Sequence, residues 1–463
     1  MAFEAHLNTF SRYFLCFRDH QANEGYAPLF ANFESFYTRN MFRRQKDIFA
    51  KPITSVPGAR VTVINHYSED YGWTLKRNDR ERTNCVNLAS YNYLGFAENK
   101  GPCTEASIKS LERNGLTNCS GRHELGTLAI HQELESTVAK FLGVEDSLTV
   151  GMGFATNSMN IPRLMGKGTL VISDEKNHAS LILGLRLSGA TVKVFAHNNV
   201  ENLERILRKA IVHGHPRTRR PWKKVFIVVE GVYSMEGSIV RLPEIVAIKK
   251  RYGAYLYLDE AHSVGAMGPN GRGVVDYFEL NPRDIDIMMG TFTKSFGSAG
   301  GYIAGSKALV NYLRVHSQAS CYANSMSPAV ARQIMASMNA IMDKKRGDGM
   351  QRIKTLARNS KYFRKRLQQM GCIVYGHDDS PVVPLMIFVP AKLLAIVNGL
   401  LHRKVATVGV GFPATKIAEE RVRFCISAGH TKEMLDHALE AIEEIADHTN
   451  IKYSKSKLKE VVY

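Results

Sequence analysis

Asp259 and Lys294 each end an apolar, β-rich run, in YLDEAHSVGA (257–266) and MGTFTKSFGSAGGYIAG (289–305). Ligands in α/β sheets bind outside the carboxyl ends of the strands, so the two side chains are placed to converge on one crevice. His262 follows Asp259 closely, which adds a base to an anion and an amine. A carboxylate at the end of a buried strand is expensive unless a cation faces it. A desolvated lysine has a lowered pKa and becomes a nucleophile towards an aldehyde. Thr291 and Thr293 can hydrogen-bond a phosphate, and Gly297, Gly300 and Gly301 allow close backbone approach. Pyridoxal phosphate requires such a set: a lysine for the Schiff base, and a carboxylate that keeps the pyridine nitrogen protonated so that the ring is an electron sink.

Three further segments carry candidate chemistry. GMGFATNSMN (151–160) reads as a strand-to-helix turn that presents backbone N–H groups to a phosphate. It lacks the GxGxxG spacing, which argues against a dinucleotide fold. His178, in SDEKNHASL (173–181), follows the run TLVIS at the same end of the sheet, where it can stack on an aromatic ring. In RVRFCISAGHT (421–431), Arg421 and Arg423 fall on one face of a strand, and a planar guanidinium clamps a carboxylate by two parallel hydrogen bonds. The tetrapeptide DEAH also occurs in helicase NTPases, but the chain has no GxxxxGK[ST] loop, so a nucleic-acid motor is excluded.

The elements that must position these residues have an α/β texture. From Cys85 on, the runs SLTV (147–150), TLVIS (169–173), TVKVF (191–195), KVFIVVE (224–230), AYLYLD (254–259) and DIMMGTF (286–292) alternate with helical stretches such as LPEIVAIKKRY (242–252). That alternation predicts a mainly parallel central sheet covered on both faces. A second αβ pattern ends in a helix over MLDHALEAIEEIADH (434–448). The expected organisation is an N-terminal arm over 1–84, with helical or extended structure in 24–45, a large domain over 85–340 and a smaller C-terminal α/β domain over 341–463.

The chain has 463 residues, and 44% are hydrophobic, which is enough for a substantial core. Its seven cysteines form no CxxC pair and no zinc spacing, so reduced thiols and no structural metal are expected. The net charge of +18 suits an anionic partner, either a nucleotide-bearing substrate or an acidic membrane face. The excess is densest in HPRTRRPWKK (215–224) and in the tail KYSKSKLKE (452–460). The most apolar stretch, SPVVPLMIFVPAKLLAIVNGLL (380–401), is broken by three prolines and Lys392, so it reads as a strand and helix rather than a membrane span, and the chain as soluble by itself.

Taken in order, NYLGF (92–96), HQELE (131–135), GMGFATN, NHASL, EGVYSMEGS (230–238), DEAHSVGAMGPNGRG (259–273), GTFTKSFGSAGG and RFCISAGHT resemble the α-oxoamine synthases. These are pyridoxal-phosphate enzymes of fold type I, the aspartate aminotransferase fold. FYTRN, TRRPWKK, SPVVPL and GFPAT make the chain similar, within that family, to lysine-bearing long-chain-base subunits. The resemblance implies that Lys294 bonds the cofactor aldehyde, that Asp259 pairs with the pyridinium nitrogen and that His178 stacks on the ring. It implies that His262 lies near the phenolic oxygen, that Ser234 is a further cofactor contact, and that Gly153, Phe154, Thr291 and Thr293 surround the phosphate. Asn92 and Arg423 become the substrate contacts. The implied reaction is decarboxylative condensation of L-serine with palmitoyl-CoA to 3-ketosphinganine. Within the family the alternatives are glycine or alanine with another acyl-CoA, or a catalytically weak regulatory paralogue.

The chain departs from the family pattern in GLTNCSGR (115–122), at Asn324 in YANSMSP and at Lys416 in PATK. Two of these segments are ones that serve a neighbouring subunit's site in related homodimers. The resemblance therefore implies a heterodimer with a lysine-lacking subunit, with no nucleic acid bound. It also implies residence on the cytosolic face of the endoplasmic reticulum, with membrane attachment through the partner.

Overall fold

The computed structural model describes residues 42, 45–70, 73–455, 461 and 463. The segment 24–45 and the end of the 452–460 tail fall mostly outside the described residues.

Two long strands open the fold, β1 (Arg60–Tyr67) and β2 (Lys76–Asn87). Next come β3 (Asp146–Val150), β4 (Thr169–Asp174), β5 (Thr191–Phe195), β6 (Lys224–Glu230), β7 (Tyr255–Asp259), β8 (Ile287–Thr291) and β9 (Gly301–Gly305). These seven form one sheet in the order β3-β9-β8-β7-β6-β4-β5, in which β4 to β8 pair in parallel and β9 runs antiparallel to both its neighbours. The sheet is thus mainly parallel, as the alternation of runs predicts. Its central strands are buried on both faces, which is why they read as unbroken apolar runs instead of alternating.

The residues still alternate between two packed layers. Val171, Phe226, Val228, Tyr257, Ile287, Met289 and Ile303 point to the core under the helices Gly153–Leu164, Ala179–Ser188 and Lys307–His316. Their sequence neighbours Leu170, Ile172, Ile227, Val229, Leu256, Leu258 and Met288 point to the other, larger core. A one-residue slip would exchange the two sets, so the packing of both faces pins the register.

Four short strands close the chain's fold: β10 (Val382–Met386), β11 (Val405–Ala406), β12 (Val408–Val410) and β13 (Arg421–Cys425). β10 and β12 flank β13 in an antiparallel sheet, covered by the helices Asp348–Gln369, Pro390–His402 and Lys432–Thr449. β11 pairs with β2, so the N-terminal hairpin joins the C-terminal elements in space. The larger core runs without a break from the central sheet into this smaller unit, which holds β13 facing the carboxyl ends of the parallel strands.

Candidate active site

Parallel pairing aligns the ends of β6, β7 and β8, with Glu230 opposite Asp259 and Asp259 opposite Met289. Asp259 is 3% exposed and is held at both oxygens. Oδ2 accepts from Asn157 Nδ2 at 2.8 Å, and Oδ1 accepts from the Ala261 N–H at 2.9 Å. The same Asn157 amide donates to Ser180 Oγ at 2.9 Å, and its carbonyl accepts from Tyr257 Oη at 2.7 Å. Ser180 Oγ in turn meets His178 Nδ1 at 2.8 Å. One asparagine therefore locks both the carboxylate and, through a serine, the imidazole. His178 caps the helix Ala179–Ser188 with that same nitrogen and leaves its ring exposed. Phe154, 43% exposed, stands 6.1 Å from it edge-on.

Lys294 follows β8 in a turn and shares a cleft of about 720 Å³ with Tyr91, Asn92, Thr293, Ser298 and Gln333. Its Nζ lies 5.5 Å above the Tyr91 ring. Desolvation brings the amine down to about 8, against a smaller upward pull from Asp259. On the other side, Arg423 of β13 places its guanidinium 4.5 Å from the centre of the same ring. Burial raises the Tyr91 phenol to about 12, with Arg423 opposing. Arg423 is 5% exposed, and its Nε has no hydrogen-bond partner among the described residues. Its neighbour on that strand face, Arg421, is fully buried with a partner at every nitrogen, supplied by Glu236, Glu419 and the Met235 carbonyl. Of the two arginines read on that strand face, only Arg423 has a buried nitrogen with no partner among the described residues.

His262 is buried, its Nδ1 is 2.8 Å from Tyr93 Oη, and burial followed by the charge of Lys294 holds its pKa well down. Ser234 is buried in the loop after β6. Asn92 lines the cleft, but its side chain is turned to the backbone, with Nδ2 on the Pro57 carbonyl and Oδ1 on the Ala97 N–H. Thr293 Oγ1 bonds Thr291 Oγ1 at 3.2 Å. Opposite them the helix Gly153–Leu164 begins without a side-chain cap, so its first N–H groups are open to an anion. A Cβ on Gly153 would lie 3.1 Å from Thr291 Cγ2, so this turn sits directly on the threonine.

Sequence reading missed Asn157, Tyr91, Tyr93 and Glu230. Asn157, Tyr93 and Glu230 lie inside quoted motifs and Tyr91 directly before one, yet only the fold reveals what each touches. Glu230 accepts from the His178 backbone N–H, and burial, then the nearby Asp259, pushes its carboxyl well above the usual range.

The site combines an aldehyde-reactive amine, a fixed carboxylate one strand away, an exposed imidazole face and an open helix N-terminus. A planar heteroaromatic aldehyde bearing a phosphate, which pyridoxal phosphate is, fits that donor set. The profile of the family described as Aminotransferase class I and II matches residues 83–442. The chain is 53% identical to human "Serine palmitoyltransferase 3" over 95% of this chain and 80% of that protein. It is 56% identical to "Serine palmitoyltransferase 2" of Caenorhabditis elegans over 93% and 77%. Among solved structures it is similar to the serine palmitoyltransferase of S. paucimobilis with a bound PLP–myriocin aldimine, at 27% identity and a TM-score of 0.78, covering 91% of this chain and all of that one. With that identity over nearly the whole chain, and with the same fold, the protein belongs to the α-oxoamine synthases within the class I and II aminotransferase family.

Proposed function

We propose that the chain is the catalytic subunit of a serine palmitoyltransferase. It condenses L-serine with palmitoyl-CoA and releases carbon dioxide and CoA, leaving 3-ketosphinganine. The observation that carries this reading is the convergence of a lysine brought to about 8 and a buried arginine with an open Nε on one tyrosine ring, with a doubly anchored carboxylate near enough to pull on the lysine.

Pyridoxal phosphate supplies, when bound, an electron sink conjugated to the α-carbon of the amino acid. The chain's residues supply the rest. Asp259 keeps a proton on the ring nitrogen, and Asn157 with the Ala261 N–H stops the carboxylate from turning away. His178 offers its exposed face for stacking. The open N-terminus at Gly153 and Phe154, together with Thr291 and Thr293, binds the phosphate. Ser234 and His262 would be further contacts to the cofactor. Lys294 would hold the cofactor through its aldehyde, and its Nζ, once free, would take the α-proton of serine. A pKa near 8 suits it to both tasks. Arg423 grips the serine carboxylate until it leaves as carbon dioxide. The role of Asn92 is to shape the cleft wall with its backbone-anchored side chain.

We also propose that the working enzyme is a heterodimer with a lysine-lacking subunit, placed at the cytosolic face of the endoplasmic reticulum through that partner. Two of the chain's departures from the family pattern lie against each other. Gly121 bridges Asn324, and Ser325 Oγ bonds Asn118 Oδ1 at 2.6 Å. Leu116, Leu125 and Tyr322 around them are 65, 89 and 82% exposed, an apolar surface of the kind a partner covers. No helix among the described residues is long and apolar enough to cross a membrane.

The test is CoA release from acyl-CoAs of several lengths with serine, glycine or alanine, by the chain alone and co-expressed with a lysine-lacking subunit. Serine-dependent turnover of palmitoyl-CoA that needs the partner is expected. Preference for glycine or alanine would assign a different synthase, and no turnover in either state would assign a regulatory role.

A further inference from the structure

The basic segment 215–224 lies at the other end of the sheet from the active site. β6 starts at Lys224, immediately after this segment, and ends at Glu230 beside Asp259. A strand of that length separates its ends by roughly 20 Å. The segment's charge is therefore placed away from the cleft that holds Lys294.

The loop is a fixed structure. His215 N–H bonds the Arg220 carbonyl at 2.9 Å, Arg219 N–H bonds the His215 carbonyl at 2.8 Å, and Arg219 takes a left-handed φ of 55°. The Trp222 indole anchors it by donating to the Ala210 carbonyl at 2.8 Å. Arg217, Arg219, Arg220 and Lys223 are all exposed on it. The stem of Lys223 lies over Gly168, which brings the exposed Lys167 into the same corner. The chain carries no carboxylate between Glu204 and Glu230, nor between Asp146 and Asp174. The nearest acids on the preceding helix already face other cations, Glu204 with Arg251 and Glu201 with Arg241. A loop of like charges with no acid of its own costs stability and raises the local potential for an anion.

An apolar cleft of about 370 Å³ adjoins this corner. Leu164, Phe226, Tyr255, Ile287 and Leu309 line it together with Lys224, Arg283, Glu145 and Asp286, and both acids are engaged, Asp286 by Lys249 at 2.8 Å and Glu145 by the Lys307 N–H at 3.0 Å. Val212, 77% exposed, projects from the helix that leads into the loop. Cations beside exposed apolar side chains match a surface that is anionic outside and apolar just beneath, which describes an acidic phospholipid bilayer.

We propose that this corner docks the protein on anionic membrane lipid, the arginines taking headgroup phosphates and the cleft taking the apolar layer below them. The inference is independent of the reaction at Lys294. The test uses the full chain loaded with pyridoxal phosphate, sedimented with vesicles of phosphatidylcholine alone or mixed with phosphatidylserine, at low and high salt, alongside the soluble polyanion heparin. The wild type is expected to bind only the anionic vesicles, and less at high salt. Replacing Arg217, Arg219 and Arg220 together by Gln is expected to weaken that binding about a hundredfold, taking about 1 kcal/mol for each basic residue at an anionic surface. Tyr255→Ser, in the cleft, is expected to weaken vesicle binding but not heparin binding. Equal vesicle binding by the triple variant overturns the proposal. So does a Tyr255→Ser protein that binds vesicles as the wild type does while heparin competes fully, because that pattern marks a general polyanion site.

Discussion

β13 presents two arginines to two regions that treat charge in opposite ways. Around Arg421, at the junction of the large and small units, Glu236, Glu419 and Lys176 form a closed set: the guanidinium reaches both carboxylates, and Lys176 bonds Glu236 at 2.9 Å. Around Arg423, a short way along the same strand face, the groups are only partly satisfied. Its Nε is open, Lys294 is desolvated and His178 shows a bare ring. Removing one member of a paired buried set leaves an uncompensated charge and is strongly destabilising. A buried group held short of its full complement is instead available to a ligand. The closed region ties β13 to the loop after β6, and the open one is where we place the proposed chemistry.

Lys294→Ala breaks this contrast most severely. Serine-dependent CoA release is expected to fall below detection, and no borohydride-fixable cofactor bond is expected to form, while the melting temperature of the cofactor-free protein stays the same or rises because a desolvated amine is gone. A retained borohydride-reducible bond would move the assignment to another lysine. Asp259→Asn keeps size and shape but loses the charge that holds the ring proton. Removal of one such electrostatic contact costs about a thousandfold in rate, near 4 kcal/mol, and slowed serine α-proton exchange is the readout. Normal exchange would show that the carboxylate has no part in the reaction.

The two arginines sharpen the comparison directly. Arg421→Gln is expected to lose about 3 kcal/mol of stability in denaturant titration, as a broken buried pair does. Arg423→Gln is expected to unfold like the wild type and to raise the KM for serine. If the two variants exchange these phenotypes, the division between closed and open regions is wrong.

His430 gives an effect confined to acid pH and hence a pH signature. It is fully shielded, its Nδ1 accepts from the Ser427 N–H at 3.1 Å, and its Nε2 meets the Asn87 carbonyl at 3.0 Å. Burial lowers its pKa to about 4, below the 6.5 of an unfolded histidine. A depressed basic group leaves stability undiminished above pH 6.5 and removes it as pH falls towards 4, here by about 3 kcal/mol. His430→Gln is expected to flatten the stability profile in that window. An unchanged profile would mean that other groups govern it.

The elements and the principal site residues were legible in the sequence because their signals are local. Apolar runs mark strands buried on both faces, and Asp259 and Lys294 are conspicuous because polar groups at the ends of such runs need a reason. The motifs around them brought the resemblance to pyridoxal-phosphate enzymes. Asn157, Tyr91 and Tyr93 were not legible in role, since asparagines and tyrosines in or beside a motif carry no mark of what they touch. Asn157 bonds Asp259, far along the chain, and that contact exists only once the helix Gly153–Leu164 packs on the sheet.

Residue types and spacing by themselves determined a mainly parallel sheet, an amine and a carboxylate at its carboxyl end, and a glycine turn for an anion. Only the tertiary structure decided which arginine is open, that Asn118 meets Ser325, and that the N-terminal hairpin pairs with β11. Strand pattern and side-chain chemistry are written residue by residue. The hydrogen bonds that saturate one guanidinium and spare its neighbour depend on the packing of segments far apart in the chain.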